Sequence, residues 1–225
     1  ASVPFGGITD IRPALEKAKR DVTLDGQDCI DIWQNAQRYG EIKAYFSEKE
    51  SDYPRLSGQA SVIGDFSLVI HKIAQVFDQN HQIRDNASVE LLRLRTRISE
   101  LERQTKRYVH NVLQNKEYQK YFQDALVTVR NNRYVIPVKQ EYRHAFPGIV
   151  HDTSASGATL YIEPMAIVSA NNDLQAARIA ETREIEKIFR RLTALIAGDY
   201  ENLYDSTYAV GQLEFIFAKA QLALS

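Results

Sequence analysis

The sequence of 225 residues is poor in the features that mark secreted, membrane and metal-binding proteins. It has one cysteine, Cys29, so no internal disulfide can form. No run of 18 apolar residues occurs, and no segment is expected to span a membrane. No charged-then-apolar N-terminal signal is visible. These absences predict a cytoplasmic protein with no membrane partner.

Nucleotide and metal sites are also absent from the sequence pattern. There is no G-x-x-x-x-G-K-[ST] loop, and none of the ten glycines precedes a lysine. The five histidines are scattered and form no set at metal-ligand spacing. We therefore expect no cofactor and no metal in this chain.

A catalytic triad is suggested only by His151-Asp152 followed by Ser154 and Ser156. Neighbouring residues in a strand point to opposite faces, so His151 and Asp152 are not expected to meet. These residues fit a strand and a turn better than an active site. The sequence thus predicts no catalytic residue.

Charge is distributed unevenly along a chain whose net charge is −1. Residues 1–83 hold 9 Lys/Arg against 12 Asp/Glu, residues 84–143 hold 13 against 7, and residues 144–225 hold 6 against 10. The basic excess lies in the middle of the chain, which favours contact with a polyanion there. The overall composition, 44% hydrophobic and 25% charged, is that of an ordinary soluble protein.

Two long helical patterns, from about Asn86 to Asn115 and from Met165 to Ala197, flank the middle of the chain. Both follow a 3.5-residue period, which is typical of helices that pair along a narrow seam. The first seam comprises Leu91, Leu94, Ile98, Leu101, Thr105, Tyr108 and Val112. The second comprises Asn171, Leu174, Arg178, Glu181, Ile185, Ile188, Leu192 and Leu195. Similar lengths predict an antiparallel pair, one helix going out and one returning.

Between these helices lies the one clearly β-patterned stretch, Leu126 to Pro164. Its β-branched and aromatic residues alternate, which predicts half-buried strands. Asn131-Asn132 fits a two-residue hairpin turn that pairs Arg130 with Arg133 and places both arginines on one face. Glu163-Pro164 is expected to end the last strand, with the carboxylate near the start of the returning helix. The predicted fold is mainly α: a helical body and a coiled-coil-like helix pair that carries a small antiparallel β-sheet at its tip.

Clustered basic residues in this stretch are the candidate binding site. The predicted nucleic-acid-binding residues of this cluster are Arg130, Arg133, Lys139, Arg143 and His144, with Tyr134 and Tyr142 between them. Cations beside aromatics on a projecting sheet suit contact with a phosphate backbone. The alternative is a solvated face that only keeps the sheet soluble, and the pattern alone leaves both open.

Two strings, RNNRYVIPVKQEYRHAFPGIVHDTSASGATLYIEP and NNDLQAARIAETREIEKIFRRL, resemble one family closely. GGITDIRPALEKA and IRDNASVELLRLRTRI fit the same family, the second bacterial MutS paralogue or endonuclease MutS-two family. The resemblance implies a helical core at 1–85, an outgoing lever helix at 86–122, a β-rich clamp at 123–163, a returning lever helix at 164–198 and a return to the core at 199–225. It also implies that the chain stops before an ATPase domain, where ATP and Mg would bind, and before a C-terminal nuclease domain. We therefore expect no enzyme activity for this chain by itself.

The resemblance implies a function as well, and it adds His151 to the candidate nucleic-acid-binding residues of the clamp. Members are associated with branched or recombining DNA, with suppression of recombination, and in some cases with collided ribosomes. We expect the chain to be the nucleic-acid-gripping clamp and lever of a dimeric ATPase and endonuclease, with DNA or the ribosome (and so ribosomal RNA) as partner. The alternative is a non-catalytic protein-interaction or dimerisation arm with no nucleic-acid contact.

Overall fold

The computed structural model describes residues 3–224, apart from the side chains of Gln221 and Leu224. This part of the chain forms seven α-helices, three short 3-10 helices and one small antiparallel sheet of four strands. The prediction of a mainly helical chain with a small antiparallel sheet is confirmed. None of the described helices has the length and apolar character needed to cross a membrane. The predicted domain limits at residues 1 and 225 lie outside the described residues.

The helices are α1 (Arg12–Lys19), α2 (Gly26–Ser47), α3 (Pro54–Ala60), α4 (Ser67–Val76), α5 (Val89–Gln114), α6 (Val168–Gly198) and α7 (Tyr200–Leu224). The 3-10 helices are Gln119–Tyr121, Gln140–Tyr142 and Met165–Ile167. The strands are β1 (Thr128–Arg130), β2 (Arg133–Lys139), β3 (Gly148–Thr153) and β4 (Thr159–Pro164), in the spatial order β1-β2-β4-β3. The chain folds into two compact units, a first unit of 1–88 with 185–225 and a second unit of 89–184. The finer division into core, lever and clamp stays a prediction.

The first unit is a helical bundle built on α2. Asp25 caps this helix because its side chain accepts a hydrogen bond from the Asp28 amide at 2.9 Å, while the Asp28 side chain accepts one from the Asp25 amide. Ile32, Tyr39 and Phe46 form a fully buried row on α2. Helix α7 packs against α1, α2 and α3, as its apolar positions predict.

In the second unit, α5 and the first half of α6 run antiparallel. Arg95 contacts Glu181 at 2.9 Å, and farther along α5 Glu102 contacts Arg178, earlier in α6, at 2.6 Å. The predicted seam holds along α5 up to the buried Thr105. After Thr105 the prediction is wrong, because Tyr108 is 42% exposed and the next residue is fully buried. A straight helix has 3.6 residues per turn, so its buried row drifts away from a 3.5-residue repeat.

The core of the second unit lies between the sheet and the two helices. Its buried residues include Leu101, Val109 and Leu113 of α5, Leu174 of α6, and Tyr134, Ile136, Val138, Leu160 and Ile162 of the sheet. The expectation of half-buried strands is wrong for β2, since Tyr134 through Val138 are all buried. The β1–β2 turn curls across the sheet, with the Asn131 side-chain amide 3.3 Å from the His151 carbonyl on β3. Neither face of β2 is therefore left to solvent.

Candidate nucleic-acid interface

The six predicted binding residues fall into two groups at opposite ends of β2. Arg130, Arg133 and His151 lie around the β1–β2 turn. Lys139 ends β2 at its far end, and Arg143 and His144 follow after the 3-10 helix Gln140–Tyr142. Six residue steps of about 3.3 Å separate Arg133 from Lys139, or about 20 Å. The sequence pattern indicated one compact basic patch. That prediction is wrong, because the two groups lie at opposite ends of the strand.

The hairpin turn itself follows the prediction. Asn131 and Asn132 both have positive φ, 51° and 61°, as a two-residue turn of type I′ requires. Arg130 pairs with Arg133, and Thr128 pairs with Val135. The register predicted from the alternation of residues is confirmed for the three pairs of this ladder.

The two arginines of this hairpin are paired, in contrast to the free basic face that was expected. Arg133 donates to Glu163 Oε1 at 2.7 Å and to Asn172 Oδ1 at 2.7 Å. Arg130 lies 3.2 Å from Asp152 and has its guanidinium 4.1 Å from the centre of the Tyr161 ring. Both cations are therefore neutralised by a carboxylate of the sheet.

Glu163 is the centre of this arrangement, and its side chain is 0% exposed. One carboxylate oxygen accepts from Arg133 and from the Asn171 amide, each at 2.7 Å, and the other contacts His151 Nε2 at 2.6 Å. A buried carboxylate is stable only with such partners. The expected role of Glu163, a negative charge beside a helix N-terminus, is therefore replaced by a buried hydrogen-bond hub.

His151 reaches this hub because it is a β-bulge residue. Val150 pairs with Ile162 and Asp152 with Tyr161, so His151 is the extra residue between the two pairs. Its contact to the Glu163 carboxylate assigns the ring proton to Nε2. In the turn that follows, Ser154 and Ser156 have their hydroxyl oxygens 3.4 Å apart. Among the described residues, neither serine is hydrogen-bonded to His151.

Asn171 connects the hub to the sheet from the first turn of α6, and it is 1% exposed. Its Oδ1 accepts from the Tyr134 amide at 3.2 Å, and its Nδ2 donates to the Tyr134 carbonyl at 3.1 Å. The β2–β4 ladder ends at the pair Ile136 and Ile162, and β4 stops at Pro164, which has no N–H. The asparagine side chain therefore acts as a strand partner where the strand has ended.

The far end of β2 is different. The Lys139 ammonium donates only to the Lys120 carbonyl, at 3.4 Å, and no carboxylate of the described residues pairs with Lys139 or Arg143. Tyr121 and Tyr142 have their ring centres 4.8 Å apart, and the Lys120 ammonium lies 5.2 Å from the centre of the Tyr121 ring. His144 is exposed. Free cations next to aromatic rings are the groups that a phosphate backbone and unstacked bases would meet.

Cys29 is the single cysteine of the chain, and its thiol is buried. Burial raises the pKa of the Cys29 thiol to about 12, which leaves no thiolate for nucleophilic attack near neutral pH. In residues 3–224, no group of three or more His, Cys, Asp or Glu side chains could hold a metal ion.

Sequence reasoning found the basic residues but missed Glu163, Asn171 and Asn172 as their partners. The available signal was a glutamate directly before the proline that ends an apolar strand, because a charge in such a position needs a partner nearby. The partner asparagines are on a helix and had no local signal.

The chain matches proteins named endonuclease MutS2 along nearly its whole length, and it belongs to that family. It is 41% identical over 224 residues to the protein of Geobacillus sp. (strain WCH70), covering 98% of this chain and 29% of that protein. It is 39% identical to the Symbiobacterium thermophilum protein, covering 99% and 28%, and 41% identical to the Brevibacillus brevis protein, covering 100% and 29%. No protein-family model matches the chain. The chain thus spans a little over a quarter of the length of these relatives.

Proposed function

Because the chain matches a segment of the endonuclease MutS2 family, we propose that it is the nucleic-acid-gripping module of a MutS-like endonuclease. In this proposal 86–122 and 164–198 are the two lever helices, and 123–163 is the clamp. ATP and Mg bind in another domain of the full-length dimer, in the cytoplasm, and the levers carry the ATP-driven motion to the clamp. The ligand is duplex or branched DNA during recombination, or the nucleic acid of a collided ribosome.

The observation that carries the proposal is the set of free cations at the far end of β2. Among the described residues, Lys139 and Arg143 have no carboxylate partner, and Lys116 and Lys120 are exposed nearby in the chain. Repulsion among unpaired cations is relieved when phosphates neutralise them, and the release of counterions drives such binding. Arg130, Arg133 and His151 contribute by holding the sheet together, since their side chains already have partners within it.

A salt series tests this proposal. The affinity of the chain for a 30-base-pair DNA duplex, measured by fluorescence anisotropy, is expected to fall linearly on a plot of log K against log salt. Replacing both cations, Lys139→Gln with Arg143→Gln, is expected to reduce the slope by about two units, since each lost phosphate contact removes about 0.9.

The matched control is Arg55→Gln with Lys72→Gln, two exposed cations of the first unit that remove the same charge. Equal slopes for the two double variants would show that net charge alone matters, and the contact at Lys139 and Arg143 would be wrong. If log K for the wild-type chain does not change with log salt, the proposal of phosphate contacts is wrong altogether.

Exposed apolar side chains on the sheet favour a second candidate, a protein-docking arm. Val129 and Ile149 are 47% and 43% exposed, and Leu126 is 50% exposed. Apolar groups at a surface suit a protein partner better than a phosphate backbone. This candidate predicts that the salt series is flat while the chain self-associates in gel filtration without nucleic acid.

A further inference from the structure

Helix α5 changes its charge pattern halfway along its length. In its first half each arginine has a carboxylate: Arg93 contacts Glu90 at 2.7 Å, Arg95 contacts Glu181, and Arg97 lies 3.9 Å from Glu100. After Glu102 no acidic residue occurs before Glu117. The nearest acidic residues before these cations are already engaged: Glu100 lies 3.9 Å from Arg97, and Glu102 contacts Arg178 at 2.6 Å.

Three unpaired cations, Arg103, Lys106 and Arg107, lie in this second half, and we name them the α5 cation row. All three are exposed, and among the described residues none has a carboxylate partner. The one hydrogen bond that the described residues give the row is internal to the helix, from Arg103 Nε to the Ser99 carbonyl at 3.4 Å. The spacings of three and one place the row on one face, which His110 and Gln104 extend.

The α5 cation row is unfavourable for the free helix. Like charges at spacings of three and four repel each other. Glu100 and Glu102 lie three and four residues before members of the row, but their carboxylates contact Arg97 and Arg178 instead of the row. A face needed only for solubility would be served as well by the mixed charges of the first half of α5. The positive charge of the α5 cation row therefore contributes no stabilising ion pair among the described residues.

From this arrangement we infer that the α5 cation row binds the phosphate backbone of a duplex nucleic acid. The inference rests on the proposed function and extends it to a surface outside the sheet. From Arg103 to His110 the helix advances about 10 Å at 1.5 Å per residue. A duplex carries one phosphate charge per about 1.7 Å of axis, so about six charges lie along this length.

The α5 cation row also continues toward the free end of the sheet. Helix α5 ends at Gln114, and Lys116 and Lys120 follow at once. The Lys120 carbonyl accepts the hydrogen bond from Lys139. One duplex can therefore follow the cations from α5 to the end of β2, with no carboxylate-paired cation of the described residues between them.

The test compares two double variants of the full chain that remove the same charge from the two halves of α5. Lys106→Gln with Arg107→Gln is expected to reduce the slope of log K against log salt by about two units with a 30-base-pair DNA duplex. The control, Arg93→Gln with Arg97→Gln, is expected to change it by less than one unit. Arg103→Gln alone is expected to reduce it by about one unit and gives an independent measurement.

The same series with an RNA duplex of equal length identifies the nucleic acid. A selective loss of slope with either duplex supports the α5 cation row. Equal slopes for the two double variants with both duplexes overturn it, while a wild-type slope that depends on Lys139 and Arg143 leaves the proposed function standing. A wild-type chain whose affinity does not depend on salt overturns both. Circular dichroism checks that each glutamine variant keeps its helix content, as the similar helix propensities of Gln, Lys and Arg predict.

Discussion

The two ends of strand β2 carry similar cations in opposite surroundings. At the Arg133 end, a guanidinium lies against the fully buried carboxylate of Glu163. At the Lys139 end, the one contact that the described residues give the ammonium is a carbonyl oxygen, that of Lys120. The difference shows that a cluster of basic residues in a sequence can contain both structural and available charges. The position of the carboxylates in the fold decides which cations are paired and which are available to a ligand.

The largest expected effect comes from removing the hub at the Arg133 end. Glu163→Ala leaves Arg133, His151 and Asn171 without their shared acceptor, and breaking a buried pair in this way costs about 3–5 kcal/mol. Urea unfolding of the variant measures this loss. Glu117→Ala, which removes an exposed glutamate of the same unit, is expected to change the free energy of unfolding by about 0.5 kcal/mol or less. A loss at Glu163 as small as that of the control would contradict the hub.

A smaller loss is expected at the asparagine that replaces a strand partner. Asn171→Ala leaves the amide and carbonyl of Tyr134 unpaired in a buried place, which costs about 2–4 kcal/mol at about 1–2 kcal/mol per group, the lower part of the range for a buried unpaired group. The neighbouring Asn172→Ala removes one exposed contact to Arg133 and is expected to cost about 1 kcal/mol. Thermal and urea unfolding of both variants give the comparison. Similar losses for the two would show that the hydrogen bonds to Tyr134 add no stability.

The third prediction compares the removal of one cation at each end of β2. Arg133→Ala is expected to cost about 1.5–3 kcal/mol, because it removes a charged hydrogen bond to a buried carboxylate. Lys139→Ala is expected to cost about 0.5 kcal/mol or less, and to reduce the salt slope of duplex binding by about one unit. Urea unfolding and the salt series measure the two effects. If Arg133→Ala alone lowers the salt slope, the division of roles between the ends is wrong.

Local features of the fold could be predicted from the sequence. Asn131-Asn132 predicted a turn with positive φ, and the alternation around it predicted the register of Arg130 and Arg133. Both depend on residues that are adjacent in the chain. The seam of α5 was predictable as far as Thr105, where the 3.5-residue repeat and the true 3.6-residue turn separate.

The site was predictable only as a list of cations. The partners of Glu163 are distant in the sequence and belong to different elements. They are Arg133 on β2, His151 at the bulge and Asn171 on α6, which lie 30, 12 and 8 positions away. The bulge at His151 has no marker such as glycine, and it changes which residues share a face of β3. Because a one-residue change of register exchanges the faces of a strand, the pairing of these charges could not follow from spacing.

The contact of Asn171 with Tyr134 has a mechanical consequence for α6. A rotation of this helix by one residue about its own axis, about 100°, would carry the asparagine away from the backbone of β2 and break both hydrogen bonds. Asn172, at the next position of the helix, accepts a hydrogen bond from the Arg133 side chain. The first turn of α6 is therefore fixed to the sheet by these hydrogen bonds. We expect a rotation of the helix to be transmitted to the sheet.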